Sequence, residues 1–293
     1  RRSIVEFGYF KEYCPEVSGR ALAREGLLRL RRPVIAIKNI EINQMKAKLK
    51  IFSIPSVLIC LLLWIPALTL AQEGDVVETD THRFVEVAEG VWFVTGSGAV
   101  FTMSNAMVLV GEFDTLVVDS HVTPAASRAL LDSIPTVTDK PVRYLVNSHY
   151  HFDHAHGNQS FPEGVEIIGH EFTRAKLSGE IGNVLEETTF KSFSDPVPAT
   201  VANLQRQAAS ETDPRRKAEL ERAHAVQEDY MNAIQEVVPT PPNITLQEKM
   251  TLFQVVADGS REIQLLHFGR AHTGGDVVIY LPQEKVAFTG DMM

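Results

Sequence analysis

The sequence predicts an α/β protein in which strands and helices form layers. Three observations indicate this class. β-rich runs joined by short turns fill residues 84–118, strands alternate with helices over 123–177, and strands return after residue 243. The chain has 293 residues, of which 44% are apolar and 22% charged. It is therefore long enough to bury one large core or two ordinary ones.

The first half of the chain contains the predicted strands and helices in a regular order. The run "FVEVAEGVWFVTG" alternates about a turn at Glu89–Gly90, and "NAMVLVGEFDTLVVDS" predicts a hairpin joined at 111–114. Thr123 as a cap, with a proline after it, predicts a helix over 123–134. The runs "PVRYLVNS" and "GVEIIGH" predict buried strands, and "EFTRAKL" a helix after the second of them.

Residues 195–238 interrupt this rhythm and predict a helical hairpin inserted in the domain. Asp213 followed by Pro214 is typical of a helix start. We expect a solvated pair of helices packed on the outside, with a lid or a dimer surface as the alternative, and His224 as a polar residue of the helix face. After the insert, "MTLFQVV", "REIQLLHFG", "VVIYLP" and "VAFTGD" predict four further strands.

The beginning of the sequence has the pattern of an exported protein. After Met45 come a basic stretch, an apolar run and a Thr-x-Ala site ending at Ala71, which predicts a secretory signal peptide over 45–71. An uncleaved membrane anchor is the alternative. We interpret residues 1–44 as a non-native upstream segment and 72–293 as the functional domain. Both cysteines, Cys14 and Cys60, precede that domain, which therefore has no disulfide framework.

The charge of the chain argues against a nucleic-acid partner. Residues 1–50 hold 12 of the 28 basic and 5 of the 37 acidic residues, which leaves 16 and 32 in residues 51–293 and a net charge of −16. Such a domain repels a phosphate backbone at long range. We expect a small-molecule substrate instead, and membrane contact only through the signal or anchor segment. The sequence does not indicate an oligomeric state.

A cluster of histidines follows the apolar run that ends at residue 146, in the stretch "VNSHYHFDHAHGN". In an extended segment, residues two apart point the same way, so His149, His151 and Asp153 are expected to share a direction. His154 has the opposite parity, so the chain must turn there for it to join them. Imidazole and carboxylate ligands suit zinc. Four ligands exceed what one tetrahedral ion with an open position can use, which favours two metals.

Two later residues also follow directly after predicted strands, the positions where α/β folds place their chemistry. They are His272, in a glycine-rich loop, and Asp291. The run "HYHFDH" matches the His-x-His-x-Asp-His signature of the metallo-β-lactamase superfamily. "GRAHTGGD" resembles that family's third-histidine loop, and "FTGD" its bridging-aspartate strand. "NAMVLVGEFDTLVVDS" is similar to its N-terminal hairpin, with Asp119 below the site. The resemblance covers residues 84–293.

The resemblance implies a four-layer αββα sandwich, with the inserted helical hairpin and with the metals in a cleft at one edge of two sheets. Members of the family supply one more histidine from a loop beyond the bridging aspartate. The sequence ends before that loop, so we expect the domain to be truncated at its C-terminus. The implied ligands are His149, His151 and His272 for the first metal, Asp153 and His154 for the second, and Asp291 as the carboxylate that bridges both.

The implied activity is that of a zinc-dependent hydrolase, in which a metal-bound hydroxide attacks an ester, thioester, lactone or lactam carbonyl. We expect two Zn²⁺ per complete chain, with iron or manganese as alternatives, and Asp153 as the catalytic residue that orients the hydroxide. The pair Asp153–His154 and the lack of a cysteine ligand differ from the best-known periplasmic β-lactamases. These departures favour the thioesterase- and lactonase-like branches. His156 is interpreted as a loop histidine, and His121, Asn147, His170 and His267 as packing or supporting residues.

Two other functions remain open. Mononuclear iron dioxygenases of sulfur compounds share the fold and much of the motif, and a truncated chain could be an inactive metal-binding fragment. The signal segment predicts a periplasmic or secreted protein, with an inner-membrane anchor as the alternative.

Overall fold

Twelve strands make up the sheets of the part that the structure, a computed structural model, describes, residues 74–292. The predicted signal peptide and both cysteines lie outside these residues. The strands are β1 (Val76–Glu78), β2 (His82–Ala88), β3 (Val91–Gly96), β4 (Ala106–Val110), β5 (Thr115–Val118), β6 (Val142–Val146), β7 (Glu166–His170), β8 (Ile244–Leu246), β9 (Lys249–Val256), β10 (Gly259–Leu266), β11 (Val278–Leu281) and β12 (Val286–Phe288).

Six α-helices accompany the strands in the same part of the chain. The first begins after Thr123, whose hydroxyl accepts a hydrogen bond from the backbone N–H of Ala126, as the predicted cap requires. The helices are α1 (Pro124–Ser133), α2 (Phe152–Ala155), α3 (Glu171–Leu177), α4 (Thr188–Ser194), α5 (Val197–Ser210) and α6 (Pro214–Ala233).

The strands form two sheets. The larger has eight strands in sequential order, β1 to β8, with antiparallel pairs up to β5 and parallel pairs from β5 to β8. The smaller is antiparallel, in the order β12-β11-β10-β9. The predicted hairpins β2–β3, β4–β5 and β9–β10 are all present. Parallel strands end at the same edge of a sheet, so the loops after β6 and β7 emerge together.

The main core lies between the two sheets. Leu109 and Val146 from the large sheet pack there with Leu265 and Ile279 from the small one, and all four are fully buried. A second core lies on the outer face of the large sheet, where Leu130 of α1 packs against Phe84 and other strand residues. Two sheets face to face, with helix α1 on the outer face of the large sheet, are consistent with the αββα sandwich that the resemblance implied.

The inserted helical hairpin is also present, between β7 and β8. Helices α5 and α6 pack against each other, and Asp213 caps α6 by accepting from the backbone N–H groups of Arg215 and Arg216. The hairpin is less solvated than the sequence predicts, because one side enters a third apolar cluster. That cluster contains Val197, Val201 and Tyr230 of the hairpin with Phe152 of α2 and Phe190 of α4. The insert therefore packs beside the histidine cluster.

The sequence did not predict four short elements, β1, β8, α2 and α4. Each has three to seven residues, and the periodic signal in each of them is weak. Within residues 74–292, no helix has the length and apolar character needed to cross a membrane.

Candidate metal centre

The residues predicted as metal ligands come from three places in the chain and meet in the fold. His149, His151, Asp153 and His154 follow β6, His272 lies in the loop between β10 and β11, and Asp291 follows β12. The loop after β6 is tied to the small sheet, because the backbone N–H of Val277 donates to the carbonyl of Ser148 at 2.7 Å.

The local conformation of the cluster differs from the prediction. The chain is not extended through Asp153, because helix α2 begins at Phe152, and His151 is its N-cap residue with φ −58° and ψ 154°. Asp153 and His154 therefore lie in the first turn of a helix. The parity argument for a shared direction was wrong for Asp153. The sequence signal for a helix of four residues is too weak to see.

A first group of potential ligands consists of three histidines. His149, His151 and His272 each offer one ring nitrogen, and these nitrogens lie within 4.8 Å of one another. Their ring centroids are 4.7–5.1 Å apart, and His272 Nε2 is 2.9 Å from His151 Nδ1. Three imidazoles converging from two loops are a donor set suited to a zinc-type ion.

A second group shares His149 with the first. It consists of His149, His154 and Asp291, again with one atom each within 4.8 Å. Asp291 approaches both groups, because its Oδ1 lies 3.1 Å from His154 Nε2 and its Oδ2 lies 3.7 Å from His272 Nε2. Asp153 lies on the same side, with its Oδ2 3.3 Å from His154 Nε2. All six predicted ligands are thus neighbours.

The nitrogen and oxygen atoms of the two groups are arranged in a way that suits a bound cation better than hydrogen bonds among themselves. The Nε2 atoms of His149 and His154 are buried and have no hydrogen-bond partner within the described residues. The carboxylates of Asp153 and Asp291 lie near His154 Nε2 without meeting hydrogen-bond geometry. Buried polar atoms rarely remain unpaired, so two buried imidazole nitrogens without hydrogen bonds, close to two carboxylates, indicate a place for a metal ion.

Asp119 holds the cluster from below. Its Oδ1 accepts from the backbone N–H of Ser148, and its Oδ2 accepts from the Ser148 hydroxyl and from His154 Nδ1, each at 2.7 Å. Because Nδ1 of His154 faces Asp119, its Nε2 faces the ligand group. A carboxylate that fixes the orientation of a ligating histidine in this way also raises its basicity.

The histidines of the site differ in their pKa values. Burial, reinforced by the neighbouring imidazoles, lowers the pKa of His149 well below its ordinary value and also lowers the pKa of His151. Burial opposes the charge on His154 as well, but Asp119 and Asp153 outweigh it and hold its pKa well above the ordinary value. The close approach of the His154 imidazole, 3.1 Å from its Oδ1, lowers the pKa of Asp291. Neutral His149 and His151 are ready to bind a cation.

The comparison with protein families decides the identity of the fold. The family model described as the metallo-beta-lactamase superfamily matches residues 99–293, about two thirds of the chain. The chain belongs to the metallo-β-lactamase superfamily. The fold and the family predicted from the sequence are therefore confirmed. The superfamily consists mostly of hydrolytic metalloenzymes and typically binds divalent metals. No curated protein matches the sequence.

Three solved structures are similar to part of this chain at low sequence identity. One from Erythrobacter litoralis, with β-mercaptoethanol in its active site, has a TM-score of 0.41 and 18% identity, over 71% of this chain and 70% of that one. One from Pontibacter korlensis has a TM-score of 0.41 and 17% identity, over 73% and 70%. A double mutant of a sec-alkyl sulfatase has a TM-score of 0.43 and 18% identity, over 71% and 31%. The family membership rests on the sequence match and not on these alignments.

His156 differs from its interpretation as a loop histidine. It is the C-cap residue of α2, it is only 1% exposed, and its ring packs 5.2 Å from that of Phe190. Burial lowers its pKa to about 4, and neither ring nitrogen has a partner in the described part of the chain. It belongs to neither ligand group. The prediction that His156 is not grouped with the ligands agrees with the geometry, but the residue caps a helix and is buried, and so is not a loop histidine.

The other supporting residues lie outside the two ligand groups. Asn147 exchanges two hydrogen bonds with Asn158, at 3.0 and 2.9 Å. The rings of His170 and His267 lie with centroids 4.1 Å apart and planes tilted by 37°, and each ring bonds a backbone carbonyl. The sequence analysis missed Ser104, which donates to the carbonyl of Asp153 at 2.5 Å. Nothing in the sequence marks a serine 49 residues away as a neighbour.

Proposed function

We propose that this chain is a zinc-dependent hydrolase that cleaves an ester, thioester, lactone or lactam bond of a small molecule. One observation carries the proposal. Two groups of potential ligand atoms share His149, and the carboxylate of Asp291 lies close to both of them. That is the ligand arrangement that two adjacent metal ions need.

The residues have separate roles in this proposal. His149, His151 and His272 would hold one ion, His154 and Asp153 a second, and Asp291 both. Bound divalent cations supply Lewis acidity, which lowers the pKa of a coordinated water toward ~7 and polarises a substrate carbonyl.

Asp153 is proposed to accept a hydrogen bond from the attacking water and to orient it toward the carbonyl carbon. Its side chain is partly exposed, whereas His149 and His154 beneath it are buried, so it can face both water and substrate. Asp119 is fully buried and bonded to His154, so it keeps that ring in place and does not touch the substrate.

The ligand types favour thioester and lactone substrates over β-lactams. A histidine follows Asp153, and the described residues contain no cysteine, in contrast to the best-known periplasmic β-lactamases. We also propose that the protein is exported, on the strength of the signal-like residues 45–71, and that its partner is a small molecule because residues 51–293 are strongly acidic.

Metal content and hydrolysis test the proposal together. Elemental analysis after dialysis should find about two zinc ions per complete chain, and a panel of thioesters, lactones and β-lactams should reveal hydrolysis. His151→Ala and Asp153→Ala should each lose about a hundredfold or more in rate, since several kcal/mol of transition-state stabilisation depend on them. His224→Gln, at a residue of neither ligand group, should match the parent. A single iron with oxygen consumption would instead identify a dioxygenase.

Export has its own test. N-terminal sequencing of protein from the periplasmic fraction should find a start near Gln72. Recovery of the protein with residues 1–44 still attached would contradict the proposed processing.

A further inference from the structure

Two buried histidines and a serine connect the start of β2 with the backbone of Asp153. His82 Nε2 lies 3.2 Å from His121 Nε2, and His121 Nδ1 lies 3.2 Å from Ser104 Oγ. Ser104 Oγ in turn lies 2.5 Å from the carbonyl oxygen of Asp153. At the far end, His82 Nδ1 lies 3.0 Å from Thr81 Oγ1. We call these four side chains the relay.

The last contact determines the direction of every bond in the relay. A carbonyl only accepts, so the single hydroxyl hydrogen of Ser104 points to Asp153. His121 must then donate from Nδ1 to Ser104 and accept at Nε2. His82 must therefore donate from Nε2, and its Nδ1 accepts the hydroxyl hydrogen of Thr81. The geometry thus assigns one tautomer to each ring.

The packing of the two rings agrees with a bond of this kind. Their planes differ by only 23°, and their centroids are 5.2 Å apart, which is the arrangement of rings joined end to end through nitrogen. Both side chains are fully buried. Burial lowers the pKa of His82 to about 4 and that of His121 well below its ordinary value, so both rings are neutral near pH 7.

The carbonyl of Asp153 needs such a donor. In a longer helix it would accept from the backbone N–H of Gly157, but that N–H donates to the carbonyl of His121 at 3.2 Å. The neighbouring Ser120 donates its backbone N–H to the carbonyl of His154 at 2.9 Å. The segment Asp119–His121 therefore supplies hydrogen-bond partners to the backbone along the last turn of α2. This helix carries two of the predicted metal ligands.

The backbone of this segment is itself unusual. Asp119 and His121 have φ values of 61° and 64°, in the left-handed region that residues other than glycine seldom adopt. Strain of this kind persists only where the surroundings hold it, and it is frequent at functional sites. Here it places the carboxylate of Asp119 under His154 and the ring of His121 against Ser104.

We propose that His82, His121 and Ser104 are positioning residues, which fix the placement of Asp153 in the ligand group through a one-way chain of hydrogen bonds. This series of hydrogen bonds ends on a backbone carbonyl, so it cannot deliver a proton to the Asp153 carboxylate. Its only contribution is to orient that residue. The role of Asp153 rests on the proposed function, whereas the direction of the hydrogen bonds does not.

The tautomers give a test that needs neither metal nor substrate. In the metal-free full chain, the ¹⁵N and ¹³C chemical shifts of the ten labelled histidines distinguish the two neutral forms. At pH 7 we expect His82 to carry its proton on Nε2 and His121 on Nδ1, with the resonances assigned by single His→Gln variants. Either ring charged, or in the other tautomer, would overturn the proposal.

Matched variants test the effect on the site. Ser104→Ala removes the last donor, whereas Ser104→Thr keeps the hydroxyl. The alanine variant should lose about tenfold in kcat with little change in KM, which is typical when a partner of a ligand is lost. Loaded with Co²⁺, it should also change the visible absorption spectrum. The threonine variant should retain the parental kcat and spectrum.

Two further outcomes are decisive. If Ser104→Ala does not fold, Thr81→Val at the partly exposed end of the relay takes its place and should alter the His82 tautomer population and the Co²⁺ spectrum. A parental spectrum and kcat in the alanine or valine variant would refute the positioning role. If the parent hydrolyses nothing, only the proposed function is refuted. The histidine tautomers and the Co²⁺ spectra then still test the relay.

Discussion

Tyr230 is buried, at 3% exposure, but its hydroxyl has no hydrogen-bond partner among residues 74–292. Burial and the charge of Asp153 raise the pKa of the Tyr230 hydroxyl well above its ordinary value, so the hydroxyl keeps its proton. We expect Tyr230→Phe to leave the free energy of unfolding unchanged or to raise it by up to ~1 kcal/mol, because an unpaired polar group is removed. Denaturant unfolding measures this. Tyr230→Ala, which also removes the ring, should cost about 3–5 kcal/mol. A loss above ~1 kcal/mol in the phenylalanine variant would mean that the hydroxyl is bonded.

His82 should make the stability depend on pH. Burial lowers its pKa from 6.5 to about 4 in the folded protein. The unfolded chain therefore binds this proton first, and the contribution of the neutral ring is complete above pH 6.5 and lost as the pH falls toward 4. The slope from this group is about 1.4 kcal/mol per pH unit. The free energies of unfolding of the parent and of His82→Leu, plotted against pH, should converge as the pH falls from 6.5 to 4. The values for His224→Gln should follow those of the parent. Parallel curves for His82→Leu would contradict the prediction.

The sequence predicted which residues meet in the candidate centre, but not which contacts hold them there. His149 to His154 stand together in the chain, and their types alone limit the chemistry. His272 and Asp291 could be added because each follows a recognisable strand. The bonds of Ser104 and His121 join residues 17 and 49 positions apart, and such contacts leave no periodic trace. His156 shows the same limit, since its burial depends on Phe190 from a helix that the pattern did not predict.

Among the secondary-structure elements, strand β10 carries a buried arginine that joins the two sheets. Arg261 is 4% exposed, and it donates to Glu284 at 2.8 Å and to the carbonyls of Val110 and Glu89 at 3.0 and 2.6 Å. We expect Arg261→Ala to lose about 3–5 kcal/mol of unfolding free energy, because the Glu284 charge and two carbonyls lose their partner. Calorimetry would measure the loss.

An exposed arginine offers the control. Arg216 on α6 pairs with Glu219 at the surface, where such a pair contributes no more than ~0.5 kcal/mol. Arg216→Ala should therefore unfold like the parent. Equal losses in the two variants would show that Arg261 is as dispensable as a surface residue.

The longer strands and helices were predictable because their alternating apolar runs, turn residues and caps extend over many positions. The hairpins at Gly90 and Gly259 combine alternating runs with glycines that adopt positive φ, 64° and 135°. The cap at Asp213 likewise marks the start of α6. Helix α2 has only four residues and depends on bonds from the segment Asp119–His121. Tertiary contacts decide such an element, so its own residues do not predict it.

At the scale of the whole molecule, metal should stabilise the fold. An ion that binds only the folded state adds about 2.7 kcal/mol at a hundred times its Kd. For a domain of this size that is roughly 5–10 °C in Tm. Zn²⁺ should raise the Tm of dialysed protein and a chelator should reverse the change. His151→Ala should lose most of the rise, and an equal rise in that variant would mean that zinc binds elsewhere.

The ligand groups join residues more than a hundred positions apart, from His149 to His272 and Asp291. During synthesis on a ribosome, the histidines after β6 therefore emerge long before their partners, and the centre cannot be assembled until the strands that end at Asp291 have been made and docked. Metal capture is then a late event in the life of the polypeptide. It should slow unfolding far more than it speeds folding, because a site with such distant contacts is absent from the early nucleus.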